Sequence, residues 1–311
     1  MKQQLLITGP MYPPTLEELE RTYDAKRLWS SADKPALLES MKDITAVASS
    51  NSGGIDGATM AKLPKLKTIA HFGVGYDTVD VDTARKRGIA VTNTPDVLTD
   101  EVADLALALT LATIRRVPQG DRYVREGKWL KANMALTESF QGKTVGIIGM
   151  GRIGRAIAKR CEAFGVKLAY QGPNRKGDLG SWAYYADPVE LAKNSDIVIV
   201  ACPGGEATRG LVSPAVIDAI GPRGFLVNIA RGSVVDEPAL IEALQQGRIA
   251  GAGLDVFVDE PRVPDAFLAM ENVVLQPHVA SATHPTRKAM GQLVIDNLAA
   301  HFAGKPLVTP V

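Results

Sequence analysis

The chain has 311 residues, of which 46% are apolar, so it is long enough for about two domains with sizeable cores. Its 35 basic and 34 acidic residues nearly cancel, and no Lys/Arg cluster resembles a nucleic-acid-binding patch. The most apolar run, Ala103 to Ile114, reaches only about half of a membrane span, so no membrane segment is expected. The two cysteines and four histidines lack the spacing of a metal site, which predicts no metal, and their context indicates buried, reduced thiols in the cytoplasm.

Short apolar strands alternate with helices from the start of the chain to residue 98. This alternation predicts an α/β fold with a parallel, doubly wound sheet, of flavodoxin-like type, in a smaller first domain. The predicted strands are Gln4–Thr8, Ile44–Ser49, Leu66–Phe72 and Ile89–Asn93, and the predicted helices are Leu16–Asp24, Pro35–Met41 and Val81–Arg87.

A turn with two glycines, Gly73-Val74-Gly75, lies between a strand and a helix of this region. Glycines at the carboxyl end of a strand leave backbone N–H groups bare, which suits a carboxylate ligand. A tight turn without a ligand explains the pattern equally well.

The chain is expected to cross into a second domain at Thr99, where an acidic helix start precedes the apolar run from Ala103. Because this helix is apolar all round, it is expected to be buried against the other domain or a second subunit. Strands and helices then alternate again, which predicts a six-stranded domain over residues 99–283 inserted in the first. The closing helix, about 285–302, returns to the first domain, which therefore comprises residues 1–98 and 284–311.

The stretch from Lys143 to Phe164 organises this second domain, because it reads as strand, glycine turn and helix. Glycines at this spacing permit a tight turn, close approach of the backbone to a pyrophosphate, and close packing of the helix on the strand. The first N–H groups of the helix would face the phosphates with a favourable helix dipole. The residues concerned are Gly149, Gly151, Arg152, Ile153 and Gly154. The pattern predicts a Rossmann dinucleotide-binding turn.

The end of the following strand predicts which cofactor is used. Enzymes that use NAD usually place an acid there, about 20 residues after the glycine turn, to hold the ribose 2′-hydroxyl. Here the strand ends at Gln171, and Asn174, Arg175 and Lys176 follow without an acid before Asp178. Cations would pair with a 2′-phosphate, so the sequence predicts NADP in preference to NAD, with a solvated basic loop as the alternative.

Three polar residues follow three later strands of the same domain. They are Arg231, Glu260 and His278, and ligands of open α/β sheets bind beyond the carboxyl ends of strands. Arg231 can bind a substrate carboxylate, His278 can donate a proton to an oxygen that becomes an alkoxide, and Glu260 can orient His278. The set suits reduction of a 2-oxo acid, although an isolated histidine or arginine in such a place is often structural.

Several motifs in order resemble the D-isomer-specific 2-hydroxyacid dehydrogenase family along nearly the whole chain, and the glyoxylate/hydroxypyruvate reductase branch most of all. The carriers of the resemblance are Gly73–Asp77, Asn93–Pro95, Gly149–Gly154, Asn228–Gly232, Gly253–Phe257, Glu260-Pro261 and Pro277–Thr283.

The resemblance implies that Arg231, Glu260 and His278 are the catalytic residues and that Val74 and Gly75 receive the substrate carboxylate, together with Arg231 and His278. It also implies a homodimer built on the helix from Ala103, and it adds positions that line the cofactor. Those positions are Thr99, Cys202, Pro203, Ile229, Ala230, Asp255, His278 and Ala280.

Four other functions are weighed against this one. The family's transcriptional corepressors keep the same fold, so a protein that senses dinucleotides is an alternative to an enzyme. A methyltransferase also uses a glycine-rich turn, but the Arg–Glu–His set argues against it. Within the family, formate dehydrogenase is disfavoured, because it resembles a form of this sequence with Gln in place of Glu260. Phosphoglycerate dehydrogenase is disfavoured because it usually carries an extra regulatory domain.

Overall fold

A computed structural model describes residues 2–311 of the chain. The strands are β1 Gln4–Ile7, β2 Asp24–Arg27, β3 Ala46–Ser50, β4 Thr68–Phe72, β5 Ala90–Thr92, β6 Thr144–Ile148, β7 Lys167–Gln171, β8 Ala183–Tyr185, β9 Ile197–Val200, β10 Phe225–Asn228, β11 Gly251–Leu254 and β12 Val273–Leu275. The helices are α1 Pro13–Thr22, α2 Lys34–Ser40, α3 Gly57–Ala61, α4 Val81–Lys86, α5 Thr99–Ile114, α6 Val117–Arg125, α7 Arg152–Glu162, α8 Pro188–Lys193, α9 Pro214–Ile220, α10 Glu237–Gln245, α11 Asp265–Leu268 and α12 His284–Phe302.

The chain forms two compact units. One comprises the described residues up to Leu98 together with Ser281–Val311, and the other comprises Thr99–Ala280. The second crossing therefore lies slightly earlier in the chain than the sequence suggests, just before α12 begins.

The first unit contains a five-stranded parallel sheet in the order β2-β1-β3-β4-β5. Its central strands are apolar and fully buried, for example at Leu6, Val47 and Ile69, and burial of each such side chain stabilises the fold by about 1.5–3 kcal/mol. Asp56 and Asp80 cap α3 and α4 by accepting a hydrogen bond from the backbone N–H three residues on. The predicted parallel α/β fold is confirmed here.

The second unit contains a seven-stranded parallel sheet in the order β12-β11-β10-β9-β6-β7-β8. Strand order runs in opposite directions from the β6–β9 neighbours, so the carboxyl ends of these two strands form a topological switch point, where such sheets bind ligands. The core includes Ile148, Val198, Leu226 and Leu254. This is the predicted Rossmann-type unit.

Each sheet has one strand more than the sequence indicated. Strand β2 is the polar tetrapeptide Asp24–Arg27, which the prediction placed partly in the preceding helix, and β8 is Ala183–Tyr185. Both lie at sheet edges and none of their residues is fully buried, so neither shows the apolar run of a central strand.

Helix α5 buries one of its apolar faces within its own unit. One face, which includes Ala106 and Leu109, packs within its own unit against α7, β10 and β11. Gly253 permits this approach, because a Cβ there would lie 2.6 Å from the Thr113 hydroxyl oxygen. The expectation that burial comes from elsewhere is therefore wrong for this face. Outside it, the leucines of α5 are only partly buried, at Leu105, Leu107 and Leu111.

Among residues 2–311, no helix combines the length and the apolarity needed to cross a bilayer.

Candidate active site

The glycine turn lies at the switch point of the second unit. Gly149 has a φ of 98°, and a Cβ there would lie 2.5 Å from the backbone of Cys202, directly after β9. A Cβ at Gly154 would lie 2.1 Å from the carbonyl oxygen of Gly149, so α7 packs tightly on the turn. Beside Gly151 there is open space, where the N-terminus of the 11-residue α7 begins at Arg152. A close turn, a helix N-terminus and room beside it fit the pyrophosphate of a dinucleotide.

Most of the other residues predicted to line a cofactor follow the carboxyl ends of neighbouring strands. Because these strands are parallel and adjacent in the sheet, their ends lie along one edge. The residues are Cys202 and Pro203 after β9, Ile229 and Ala230 after β10, Asp255 after β11, and Ala280 after β12, while Thr99 is the first residue of α5.

The loop after β7 is positive and held at both ends. Asn174, Arg175 and Lys176 are exposed, and the backbone N–H of Lys176 donates a 2.8 Å hydrogen bond to the buried Tyr170 hydroxyl. The first acid of the loop, Asp178, is paired with Arg155 through bonds of 2.7 and 3.0 Å. That pairing keeps the pKa of Asp178 below its usual value, with a smaller contribution from the charge of Lys176.

Two residues that the sequence marks only as part of a family motif, without a role, fix the turn that bears Arg231. The buried Asn228 donates from Nδ2 to the carbonyl oxygen of Arg231 at 2.9 Å, and its Oδ1 accepts from the N–H of Ala230 at 3.0 Å. A Cβ at Gly232 would lie 2.0 Å from the backbone of Phe257, so only glycine lets this turn pack on the segment that leads to Glu260. The signal for Asn228 was a lone polar residue at the end of an apolar strand.

Glu260 and His278 form a hydrogen-bonded pair. Nδ1 of His278 lies 2.7 Å from Oε2 of Glu260, and Oε1 accepts from the N–H of Phe257 at 3.1 Å. The two side chains, of His278 and Glu260, are 31% and 34% exposed, so they are reachable by a small molecule. Within residues 2–311, Nε2 of His278 has no hydrogen-bond partner.

The electrostatic environment keeps Glu260 ionised. Its partial burial raises the pKa of the carboxyl group, but the hydrogen bond and charge of His278, with smaller contributions from the Phe257 N–H and the Arg231 charge, outweigh burial and lower it. The arrangement can therefore hold a negative charge behind the imidazole and present the other ring nitrogen as a proton donor.

Asp255 fixes the backbone of His278. His278 has a φ of 53°, a left-handed conformation that costs a non-glycine residue about 1–3 kcal/mol. The carbonyl oxygen of Asp255 accepts from the N–H of His278 at 2.8 Å, and its carboxylate accepts from Val279 at 2.8 Å and Ala280 at 3.0 Å. Although burial raises the pKa of this carboxyl group, these two N–H donors act in the opposite direction. The side chain of Asp255, which was predicted to line the cofactor, is thus 0% exposed and anchors the segment that bears His278.

In the first unit, the turn after β4 has its carbonyl groups anchored one after another. Gly73 accepts from the N–H of Thr94 at 2.9 Å, Val74 accepts from Nδ2 of Asn93 at 2.9 Å, and Gly75 accepts from Nε2 of His71 at 3.0 Å. In a trans peptide the N–H points opposite to the C=O, so the N–H groups of the next residues are turned outward. In the described chain the N–H groups of Val74 and Gly75 have no acceptor, which suits an anion.

Comparison with known proteins decides the family. The model of the D-isomer specific 2-hydroxyacid dehydrogenase NAD binding domain matches residues 107–280. A glyoxylate/hydroxypyruvate reductase of Arabidopsis thaliana is 50% identical over 99% of this chain and 98% of its own. The chain belongs to the D-isomer-specific 2-hydroxyacid dehydrogenase family. The resemblance predicted from its motifs is confirmed, and the methyltransferase alternative is wrong.

Further relatives share the same length and fold. A hydroxyphenylpyruvate reductase of Plectranthus scutellarioides is 48% identical over 99% of this chain and 98% of its own. The crystal structure of an NADPH-dependent glyoxylate/hydroxypyruvate reductase from Sinorhizobium meliloti, in complex with NADP and malonate, superposes with a TM-score of 0.92 at 45% identity, covering 100% of this chain and 97% of that one. The NAD(P)-binding fold and the oxidoreductase class follow from this membership.

Proposed function

We propose that this protein uses NADPH to reduce small 2-oxo acids, such as glyoxylate, hydroxypyruvate and aryl-pyruvates, to D-2-hydroxy acids. The observation on which the proposal rests is the Glu260–His278 pair, with its 2.7 Å hydrogen bond, in the same unit as Arg231. Support comes from relatives named glyoxylate/hydroxypyruvate reductase and hydroxyphenylpyruvate reductase, which align along almost their whole length. The unit of Thr99–Ala280 is then the proposed cofactor domain, and the unit that contains Ser281–Val311 the proposed substrate domain.

In the proposed mechanism, Arg231 pairs with the substrate and polarises its carbonyl group. When bound, NADPH supplies the hydride that adds to carbon 2. As negative charge develops on the carbonyl oxygen, protonated His278 donates the Nε2 proton to it, so that the product is a neutral alcohol and the ring becomes neutral. Glu260 accepts from Nδ1, which fixes the orientation and the tautomer of the ring before the transfer. A proton from solvent then restores the imidazolium.

The carboxylate of the substrate is proposed to bind at Val74 and Gly75. Their outward N–H groups provide paired donors. The carbonyl groups of the turn already accept hydrogen bonds from Asn93 and His71, which fixes the orientation of these N–H groups. Donors that are already oriented bind a carboxylate without the cost of ordering the turn.

NADPH rather than NADH is the proposed reductant. Gln171 provides no negative charge at the end of β7, because its amide is neutral and donates to the carbonyl oxygen of Ala186 at 3.1 Å. Asp178 is paired with Arg155, and Arg175 and Lys176 are exposed cations of the same loop that could bind a 2′-phosphate. The relative whose structure was solved with NADP supports this choice.

A homodimer is the proposed assembly, and exposed apolar residues after α5 support it. Leu130 and Leu136 are 93% and 99% exposed, and Val117, Val124 and Trp129 are more than half exposed. A concentration of large apolar side chains on one short segment is unusual for a surface that faces only water. A second copy of the chain would cover this segment together with the partly buried leucines of α5.

The cytoplasm is the proposed compartment. Cys161 and Cys202 are both free thiols, and burial raises the pKa of the first to about 12 and of the second to about 11. Such cysteines stay protonated, and a reducing environment suits them.

A substrate panel tests the proposed function. Oxidation of NADPH is followed at 340 nm, a wavelength at which the reduced nicotinamide absorbs, with glyoxylate, hydroxypyruvate and an aryl-pyruvate, and the configuration of each product is determined. Turnover that yields D-products supports the proposal. Binding of NADPH with negligible turnover of every substrate would instead favour the alternative of a dinucleotide-sensing corepressor, which the named relatives do not support.

A further inference from the structure

A buried histidine ties the carboxylate-binding turn to a neighbouring loop. His71 is fully buried near the end of β4, and its Nδ1 lies 2.9 Å from the Ser49 hydroxyl oxygen. Its Nε2 lies 3.0 Å from Oδ1 of Asn51 and 3.0 Å from the carbonyl oxygen of Gly75. One ring nitrogen therefore contacts both the turn and the loop after β3.

The carbonyl group of Gly75 determines which atoms donate. A carbonyl oxygen can only accept, so Nε2 of His71 must bear a hydrogen. The atom of Asn51 that faces this N–H must then be its carbonyl oxygen, because an amide NH2 group cannot accept a hydrogen bond. The NH2 group of Asn51 consequently points away from His71, and within residues 2–311 it has no hydrogen-bond acceptor.

The space around this network depends on Gly73. A Cβ at that position would lie 2.9 Å from Nε2 of His71 and 3.2 Å from Oδ1 of Asn51. A side chain there would push the ring and the amide apart, whereas glycine lets both stay in contact with the Gly75 carbonyl. The position of the Asn51 amide is thus fixed, through His71, relative to the turn that bears the carboxylate-binding N–H groups.

We propose that Asn51 is a specificity-determining residue, whose Nδ2 donates a hydrogen bond to an oxygen on the third carbon of the substrate. This proposal rests on the proposed function. A 2-oxo acid whose carboxylate is bound by the turn extends its third carbon away from the carboxylate. The half-buried NH2 group of Asn51 has no partner, so a substrate with an acceptor on that carbon would bind more tightly. The preferred class is therefore 2-oxo acids with an oxygen on carbon 3, such as hydroxypyruvate, over those with a methyl group, such as pyruvate.

The test compares hydroxypyruvate with pyruvate, because the two differ only by that hydroxyl group. In Asn51→Ala, the ratio of kcat/KM for hydroxypyruvate to kcat/KM for pyruvate should fall about tenfold, the size of one neutral hydrogen bond, mainly through KM. Ser52→Ala, a change at the exposed neighbour, should leave the ratio at its wild-type value.

Glyoxylate separates this inference from the proposed function, because it has no third carbon. An equal loss of kcat/KM for glyoxylate, pyruvate and hydroxypyruvate in folded Asn51→Ala would mean that Asn51 only supports the turn through His71, and an unchanged ratio would likewise overturn the proposal. Thermal melting of the variant identifies a folding defect, and Asn51→Asp, which keeps an acceptor for His71 and lacks the NH2 donor, then serves as the second variant with a fall in the same ratio expected. If the wild type reduces none of the three acids, the proposed function itself fails.

Discussion

Replacing Glu260 with glutamine removes a charge while nearly preserving shape. The carboxylate has two acceptors in use, Oε2 toward His278 and Oε1 toward the N–H of Phe257. A glutamine amide has one carbonyl oxygen, so Glu260→Gln must turn an NH2 group either toward Phe257 or toward Nδ1 of His278. Both arrangements lose the charge-assisted bond that favours the imidazolium.

The size of the effect follows from that bond. A hydrogen bond to a charged group is worth about 1.5–3 kcal/mol, and the pair is partly exposed, so the lower end applies. Since about 1.4 kcal/mol is tenfold, we expect kcat/KM for reduction to fall about tenfold or somewhat more at neutral pH. The protonated ring is the proposed proton donor, and Glu260→Gln removes the negative charge beside it, so the alkaline limb of the pH–rate profile should move to lower pH.

At the acidic end of the wild-type pH–rate profile, protonation of Glu260 is the event that removes the interaction. Because the pKa of Glu260 is lowered, its ionic contribution is fully present above the ordinary value of 4.5 and is lost only as the pH falls through the lowered pKa. Wild-type reduction should therefore persist into acidic solution. The assay is steady-state NADPH oxidation across pH at saturating cofactor. A profile that Glu260→Gln leaves unmoved, with a reduced plateau alone, would refute the electrostatic role and leave Glu260 a structural residue.

Three further changes test other parts of the account. Arg175→Asp should raise the KM for NADPH far more than the KM for NADH in parallel titrations, and equal effects on both would contradict the proposed cofactor preference. Asp255→Asn should lower kcat and the Tm together, because its amide cannot accept from both Val279 and Ala280, whereas a normal kcat in a folded variant would show that the backbone of His278 holds without it. Leu130→Asp combined with Leu136→Asp should shift sedimentation from dimer to monomer, while an unchanged sedimentation coefficient would place the interface elsewhere.

Elements with one strong local signal could be predicted from the sequence. The buried parallel strands appear as continuous apolar runs, and the glycine turn at Gly149 appears because its spacing is fixed by a single turn. The edge strands β2 and β8 could not be predicted, since a strand paired on one side needs no apolar run and Asp24–Arg27 is largely polar.

The hydrogen bonds that hold the site in place could not be predicted either, because each joins residues far apart in the chain. The carboxylate of Asp255 meets the N–H groups of residues 279 and 280 only after β11 and β12 pair. The contact of His71 with Asn51 likewise requires β3 and β4 to be neighbours. Local patterns identify which residues are polar at strand ends, and only the sheet order determines which of them meet.

Substitution of His278 by alanine tests the central claim most directly, with turnover and cofactor binding measured on the same preparation. NADPH affinity is read from the fluorescence of the bound nicotinamide, and turnover from NADPH oxidation with hydroxypyruvate. We predict a loss of about 10²–10⁴-fold in kcat, the usual contribution of a positioned proton donor, with NADPH affinity nearly unchanged. Turnover at the wild-type rate in His278→Ala would contradict the assignment of His278 as proton donor and with it the proposed mechanism.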